Sequence, residues 1–161
     1  MLKSASHGTD NIMKLDAKQQ AEQRAEALIR ATGARLTRPR SRVLMFLLEQ
    51  ARPLTHHEIH DQLPGDAIDA VTLYRVLEWL TANNMIHRIA GADQVWRFSA
   101  SSSAGSGQQD HDHAHFQCTN CDSVTCFNDM PLPKRKKMPD GFTSQEVEFL
   151  IKGICPRCGE H

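Results

Sequence analysis

Four cysteines fall in two Cys-x-x-Cys pairs, Cys118-Thr-Asn-Cys121 and Cys155-Pro-Arg-Cys158, in the last third of a 161-residue chain. Each pair can present two sulfurs to one point, and two such pairs fill a closed tetrahedral zinc site. A site of that kind ties together the ends of a segment of more than thirty residues. It also makes the fold of that segment depend on the metal. The competing use of Cys155-Pro-Arg-Cys158 is a dithiol redox centre. The presence of two pairs, with no further thioredoxin-like pattern, favours the metal.

A second set of soft ligands lies close by. The run His111-Asp-His-Ala-His115 directly precedes the first pair, and Cys126 is an odd fifth cysteine. On a strand, His113 and His115 point to the same face and can share a metal. A thiolate from Cys126 beside them shifts preference toward zinc over iron or manganese. A small buried hydrophobe is the alternative role for Cys126. His111, Asp93, Glu146 and Glu148 are further candidates to complete a shell.

The first two thirds of the chain carry no such pairs and read as helical. Asp16 to Gly33 has a helical apolar face in Ala21, Ala25, Leu28 and Ile29. Pro39 suits the first turn of a second helix whose core residues are Val43, Leu44, Phe46, Leu47 and Leu48. Thr55 and Glu58 form a capping box for a third helix, His56 to Leu63, and Pro64-Gly65 breaks it. A fourth helix, about Ala70 to Asn83, buries Leu73, Val76, Leu77 and Leu80. Met85–Ile89 and Gln94–Phe98 then read as a hairpin. Helices followed by a hairpin predict a winged helix-turn-helix unit, residues 1–98. Residues 99–110 are rich in Ser and Gly and read as a flexible linker. Residues 111–161 predict a small α/β domain, with strands near His115–Cys118, Val124–Phe127 and Phe142–Ile151 and a short basic helix at Leu132–Met138. The class is α+β. So small a core suits a zinc staple and dimerisation.

Net charge is zero, yet Arg30, Arg35, Arg38, Arg40, Arg42 and Arg52 stand against the single acid Glu49 in that stretch. A local basic stripe can steer DNA although the whole chain is neutral; a solvated helix face is the alternative. In the fourth helix Thr72, Tyr74 and Arg75 lie off the apolar face near its N-terminal end, where a recognition helix meets bases and phosphates. No apolar run is long enough to span a membrane, and the polar N-terminus lacks a signal core. A cytoplasmic location is therefore expected, where paired cysteines bind metal more often than they form disulfides.

Taken in order, Arg35-Leu-Thr-Arg-Pro-Arg, Thr72-Leu-Tyr-Arg-Val-Leu, the His run before Cys-x-x-Cys, and Gly153-Ile-Cys-Pro-Arg-Cys resemble the ferric uptake regulator family of bacterial metalloregulators. The resemblance spans about Asp16 to Cys158. It implies a homodimer with an N-terminal winged helix, a C-terminal dimerisation domain, and a structural Zn2+ on Cys118, Cys121, Cys155 and Cys158. It implies DNA contact by Tyr74 and Arg75, and places His57 where zinc-sensing members can carry a tyrosine near the phosphates. It also places His87 where zinc-sensing relatives contribute a histidine from the DNA-binding domain. His87, His113, His115 and Cys126 then make a regulatory site bridging both domains, although His87 beside Arg88 also suits a solvated surface. Departures choose among branches. Pro53 replaces a histidine usual in iron sensors, Ala114 replaces an acid serving an additional site, and Cys126 replaces a glutamate. The zinc uptake regulator branch fits best, with a double-stranded, AT-rich inverted repeat as the expected partner. An iron- or manganese-responsive repressor is the alternative. A zinc-ribbon interaction module is more remote. An enzyme is disfavoured, because His56-His-Glu58 and the late cysteines match a zinc-deaminase pattern only loosely.

Overall fold

The computed structural model describes residues 7–101, 113–127, 130, 132, 138–143 and 147–159, with side chains from residue 18 onward. The first unit runs α1 (His7–Ala31), α2 (Arg38–Leu48), β1 (Leu54–Thr55), α3 (His56–Gln62), α4 (Ala70–Ala82), β2 (Ile86–Ala90) and β3 (Trp96–Ala100). The second runs β4 (Ala114–Cys118), β5 (Val124–Phe127), β6 (Phe149–Gly153) and α5 (Pro156–Gly159). The closest packing of helices and strands falls within one unit or the other.

Helix boundaries follow the local chemistry. Thr37 precedes α2, and Pro39 sits in its first turn, where a missing N–H costs nothing. The Thr55–Glu58 capping box forms as expected: Glu58 N–H donates to Thr55 Oγ1 at 3.2 Å, and Thr55 N–H donates to Glu58 Oε2 at 2.8 Å. Asp69 caps α4 by accepting the Thr72 N–H at 2.9 Å. Helix α1 starts at His7, earlier than the expected Asp16, and ends before Gly33, whose φ of +74° suits glycine.

One core joins these helices to the wing. Ala25 and Ile29 of α1, Val43, Leu44 and Leu47 of α2, Ile59 of α3, and Leu73, Leu77 and Leu80 of α4 are essentially sealed from solvent. Met85, Ile86 and Phe98 close it from the hairpin side. Burying a Leu- or Ile-sized side chain stabilises by roughly 1.5–3 kcal/mol, so this cluster fixes where α4 sits. Strands order as β1-β3-β2, all antiparallel, with His87 opposite Ser99 and Ile86 opposite Ala100. The expected linker therefore begins inside a strand: Ser99 and Ala100 belong to β3, and the Ser101 N–H donates to Met85 O at 3.0 Å. Residues 102–110 lie outside the described residues. The two-residue β1 was not expected, being too short to show a period.

In the second unit β4 is central, antiparallel to β5 and parallel to β6. Phe116 stacks on Phe127 at 5.8 Å between ring centroids. A Cβ at Gly153 would stand 3.0 Å from the Phe116 ring, so glycine there lets β6 close on β4. The expected strand over 142–151 is corrected to Phe149–Gly153. Phe142 and Val147, which suggested it, are 69% and 42% exposed and outside any strand. Residues 133–137 of the expected basic helix lie outside the described residues. Among the described residues, no helix is long and apolar enough to cross a membrane.

Candidate metal centres and nucleic-acid interface

The four paired cysteines converge. Cys118 ends β4, Cys121 lies in the turn toward β5, and Cys155 and Cys158 flank and enter α5 after β6. Their sulfur atoms lie within 4.8 Å of one another, with Cys121 Sγ 3.8 Å from Cys155 Sγ. The Cys155 N–H points at Cys118 Sγ from 3.4 Å and draws that thiol down. The Ser123 hydroxyl and N–H, aided by the Arg157 guanidinium, bring Cys121 down to about 5. At Cys158 the Asn120 side chain pulls the same way, but Cys121 and Cys155 crowd it and push it up to about 11. Thiolates gathered this closely repel one another. A divalent cation removes that conflict, and zinc takes four thiolates in a closed tetrahedron. The donor set fits structural zinc.

The second cluster joins the two units. His87 comes from β2 of the wing, His113 from the position just before β4, His115 from β4 and Cys126 from β5. One ligand atom from each lies within 4.8 Å of the other three. His115 and Cys126 are direct partners in the β4–β5 register, and His87 Nε2 lies 3.7 Å from Cys126 Sγ. Ring centroids are 5.0 Å apart for His87 and His113, 5.6 Å for His87 and His115, and 4.6 Å for His113 and His115. All three imidazoles are buried, at 5–6% exposure. Three imidazoles and one thiol around a common centre make a nitrogen-and-sulfur donor set suited to zinc.

Asp93 and Glu148 are not among the four residues whose ligand atoms gather at this point. Asp93 is engaged by Arg97, which donates to both carboxylate oxygens at 3.0 and 2.8 Å. That pairing, set against some burial, holds Asp93 at about 2. Glu148 lies at an exposed position just before β6. His111 and Glu146 lie outside the described residues.

In the first unit, α4 exposes Tyr74 (56%), Val71 and Arg75, while Thr72 is half-buried beside the Asp69 cap. The basic stretch is more internally engaged than its charge count implies. Arg42 donates to the Pro64 and Asp66 carbonyls at 2.6 and 2.8 Å, bracing the loop before α4. Arg38 pairs with Asp66, Arg52 with Glu58 and Arg30 with Glu26. Arg40 lies over the Trp79 ring at 3.8 Å. His57, on the exposed face of α3, pairs with Asp61 at 2.9 Å. Two polar residues at the junction between units escaped sequence reasoning. Gln117 is 3% exposed and Arg97 is 6% exposed. For Gln117 the available signal was its place two residues after His115 in the strand repeat.

A winged helix-turn-helix joined to a small sheet that gathers two thiol-bearing clusters able to hold a metal, together with the family model that the chain matches, marks a metal-responsive transcriptional regulator. The chain belongs to the ferric uptake regulator family, whose model matches residues 31–150. That is a family of DNA-binding regulators and not of enzymes. The chain is similar to the peroxide-responsive repressor PerR of Staphylococcus aureus, at 24% identity over 137 residues, covering 82% of this chain and 87% of that one. Among solved structures it resembles a zinc uptake regulator complexed with zinc and DNA, with a TM-score of 0.64 at 19% identity, covering 88% of this chain and 94% of the other. It also resembles the Vibrio cholerae ferric uptake regulator, with a TM-score of 0.56 at 21% identity, covering 82% and 99%. At these identities the structural likeness speaks for the fold, and the choice of metal has to come from this chain's own residues.

Proposed function

We propose that this protein is a zinc-dependent repressor of zinc-acquisition genes, acting as a homodimer on an AT-rich inverted repeat. The observation that carries the reading is the buried cluster of His87, His113, His115 and Cys126. Its ligands come from both units, so a metal bound there acts on their relative placement and not only on local stability. The chemistry a zinc ion supplies is a shared positive centre for three neutral imidazoles and one thiolate. His87 is the ligand that commits the wing. It lies in β2, next in sequence to Ile86, and Ile86 belongs to the core that seats α4. Holding His87 against β4 and β5 therefore fixes the direction in which α4 presents Tyr74 and Arg75. In a dimer, two such helices match half-sites about one DNA turn apart or closely overlapping.

The four-cysteine cluster has a different task in this reading. It lies wholly within the second unit and ties β4, β5 and α5 together, which suits a permanent structural zinc. The regulatory site obeys linkage: zinc must favour the DNA-competent arrangement, and DNA must tighten zinc by the same factor. A preference of roughly 10⁴-fold carries a two-state equilibrium from mostly open to mostly closed. Gel mobility shift with an AT-rich inverted-repeat duplex, titrated separately with zinc, iron(II) and manganese(II), tests the reading. Tight binding is expected at the lowest free concentration of zinc. Retardation by iron or manganese but not zinc would move the protein to the iron- or manganese-responsive branch. No retardation with any metal would favour a zinc-ribbon interaction module.

A further inference from the structure

Gln117 is a neutral polar side chain only 3% exposed, and it crosses between the units. Its Oε1 accepts the backbone N–H of Ala92 at 2.6 Å. Gln117 lies in β4, whose residues His115 and Cys118 belong to the two metal clusters. Two residues after His115 in the same strand, it shares that residue's face. Ala92 lies in the turn between β2 and β3, five positions after His87 on the same hairpin. Among the described contacts, the winged-helix unit meets β4 and β5 at the His87 cluster and at the Gln117–Ala92 bond.

The turn that receives Gln117 is stiff. The Gln94 N–H closes it on Gly91 O at 3.0 Å, and the Gly91 N–H donates to Val95 O at 3.2 Å. Arg97 clamps Asp93 with two hydrogen bonds. A Cβ at Gly91 would run into Asp93 Oδ1 and Arg97 Nη1, so the clamp fills the space a side chain would need. Arg97 in β3 is also the register partner of Thr55, the N-cap of α3, and α3 packs on α4. A displacement of this turn therefore moves a braced hairpin, whereas a slack loop would absorb it. Two anchors on one stiff hairpin fix its direction, while a single anchor leaves it free to swivel.

We propose that Gln117 is a positioning residue for the metal response: its bond to Ala92 sets the angle of the winged-helix unit on β4, so that metal capture by His87 yields one DNA-competent orientation. This rests on the reading of the His87 cluster as a regulatory metal site. Two variants remove opposite ends of the same bond. Gln117→Met keeps length and apolar volume but removes the acceptor. Ala92→Pro removes the donor at the second position of the Gly91–Gln94 turn, a position that favours proline. Each is compared with wild type for DNA affinity on an AT-rich inverted-repeat duplex, with and without saturating zinc at the second site. The four-cysteine zinc is kept filled throughout.

Both variants are expected to retain the structural zinc, the metal-poor DNA affinity, and the cobalt absorption of the second site. In both, the factor by which zinc tightens DNA binding should fall about tenfold, within the usual range of allosteric coupling. The double variant should fall no further, since the two changes break one contact. Equal coupling in wild type and either single variant overturns the role of Gln117 while leaving the metal-sensing reading intact. Additive losses in the double variant overturn it as well. A wild-type protein whose DNA binding ignores zinc overturns the metal-sensing reading itself, and this proposal with it.

Discussion

His87 Nε2 lies 3.7 Å from Cys126 Sγ across a separation of 39 residues, one in the wing of the DNA-binding unit and the other in the sheet of the second unit. That one approach joins the two halves of the chain through side chains that bind metals and have little other reason to meet. His113 and His115 complete a buried, soft donor set around it.

Cys118→Ser removes one of four converging sulfurs at the end of the central strand. Structural zinc in small domains supplies roughly 10–16 kcal/mol of apparent binding free energy that doubles as folding free energy. Loss of a thiolate should therefore expel one equivalent of zinc and melt the β4–β5–β6 unit, together with any dimer it forms. Metal analysis of the purified protein and sedimentation equilibrium check this. An unchanged zinc content in a stable protein would refute the four-cysteine assignment.

Arg75→Ala removes an exposed guanidinium from the first half of α4. Loss of a base contact costs roughly 1–3 kcal/mol and relaxes preference at that base pair. Operator affinity should fall by about 5- to 150-fold, with zinc stoichiometry unchanged. Binding selections on randomised duplexes provide the readout. Equal affinity and equal preference would take Arg75 out of the reading set.

Asp93→Asn tests the clamp that stiffens the wing turn. The Arg97 guanidinium holds Asp93 at about 2, below its ordinary 3.8. A depressed carboxylate contributes stability that is fully present above its unfolded value and lost as pH falls through the folded one. The wing of the wild-type protein should thus be more stable than that of Asp93→Asn at every pH above 4, with the difference closing between about 4 and 2. Fluorescence of Trp96, which lies beside Arg88 in the wing, reports it during denaturant titration. A difference that persists unchanged down to about pH 2 would show that the Asp93 charge contributes nothing.

Much of this organisation was legible in the chain, because it is written in local chemistry. The Thr55–Glu58 box, Pro39 at the start of α2, and the Leu73, Val76, Leu77 and Leu80 face each follow from nearby residues, and each formed. The Cys-x-x-Cys pairs announced their own convergence, since two such pairs suit one closed tetrahedral site. His87 is different. Nothing in its neighbourhood distinguishes a ligand from a solvated wing residue, and only family resemblance selected it. The strand expected over 142–151 failed for a related reason. Its limits come from parallel pairing with β4, a partner distant in sequence, while Phe142 and Val147 supply apolar character without burial. Gln117 could be placed on the His115 face by the strand repeat, but the backbone N–H of Ala92 that it meets is distant in sequence and shows in no side-chain pattern. Arg42 shows the converse. Its charge suggested DNA, but it braces the loop between α3 and α4 through the Pro64 and Asp66 carbonyls.

The central claim is that Cys126 serves the regulatory metal site together with His87, His113 and His115. Cobalt substitution of the second site, with zinc retained on the four paired cysteines, tests it most directly in wild type and Cys126→Ser. The wild-type protein should show thiolate-to-cobalt charge transfer in the near ultraviolet, and Cys126→Ser should lose it. The variant should keep its fold and its structural zinc, and it should need a higher zinc concentration to bind DNA. An unchanged cobalt spectrum together with unchanged zinc-dependent DNA binding would make Cys126 a packing residue and contradict the assignment of zinc as the regulatory metal.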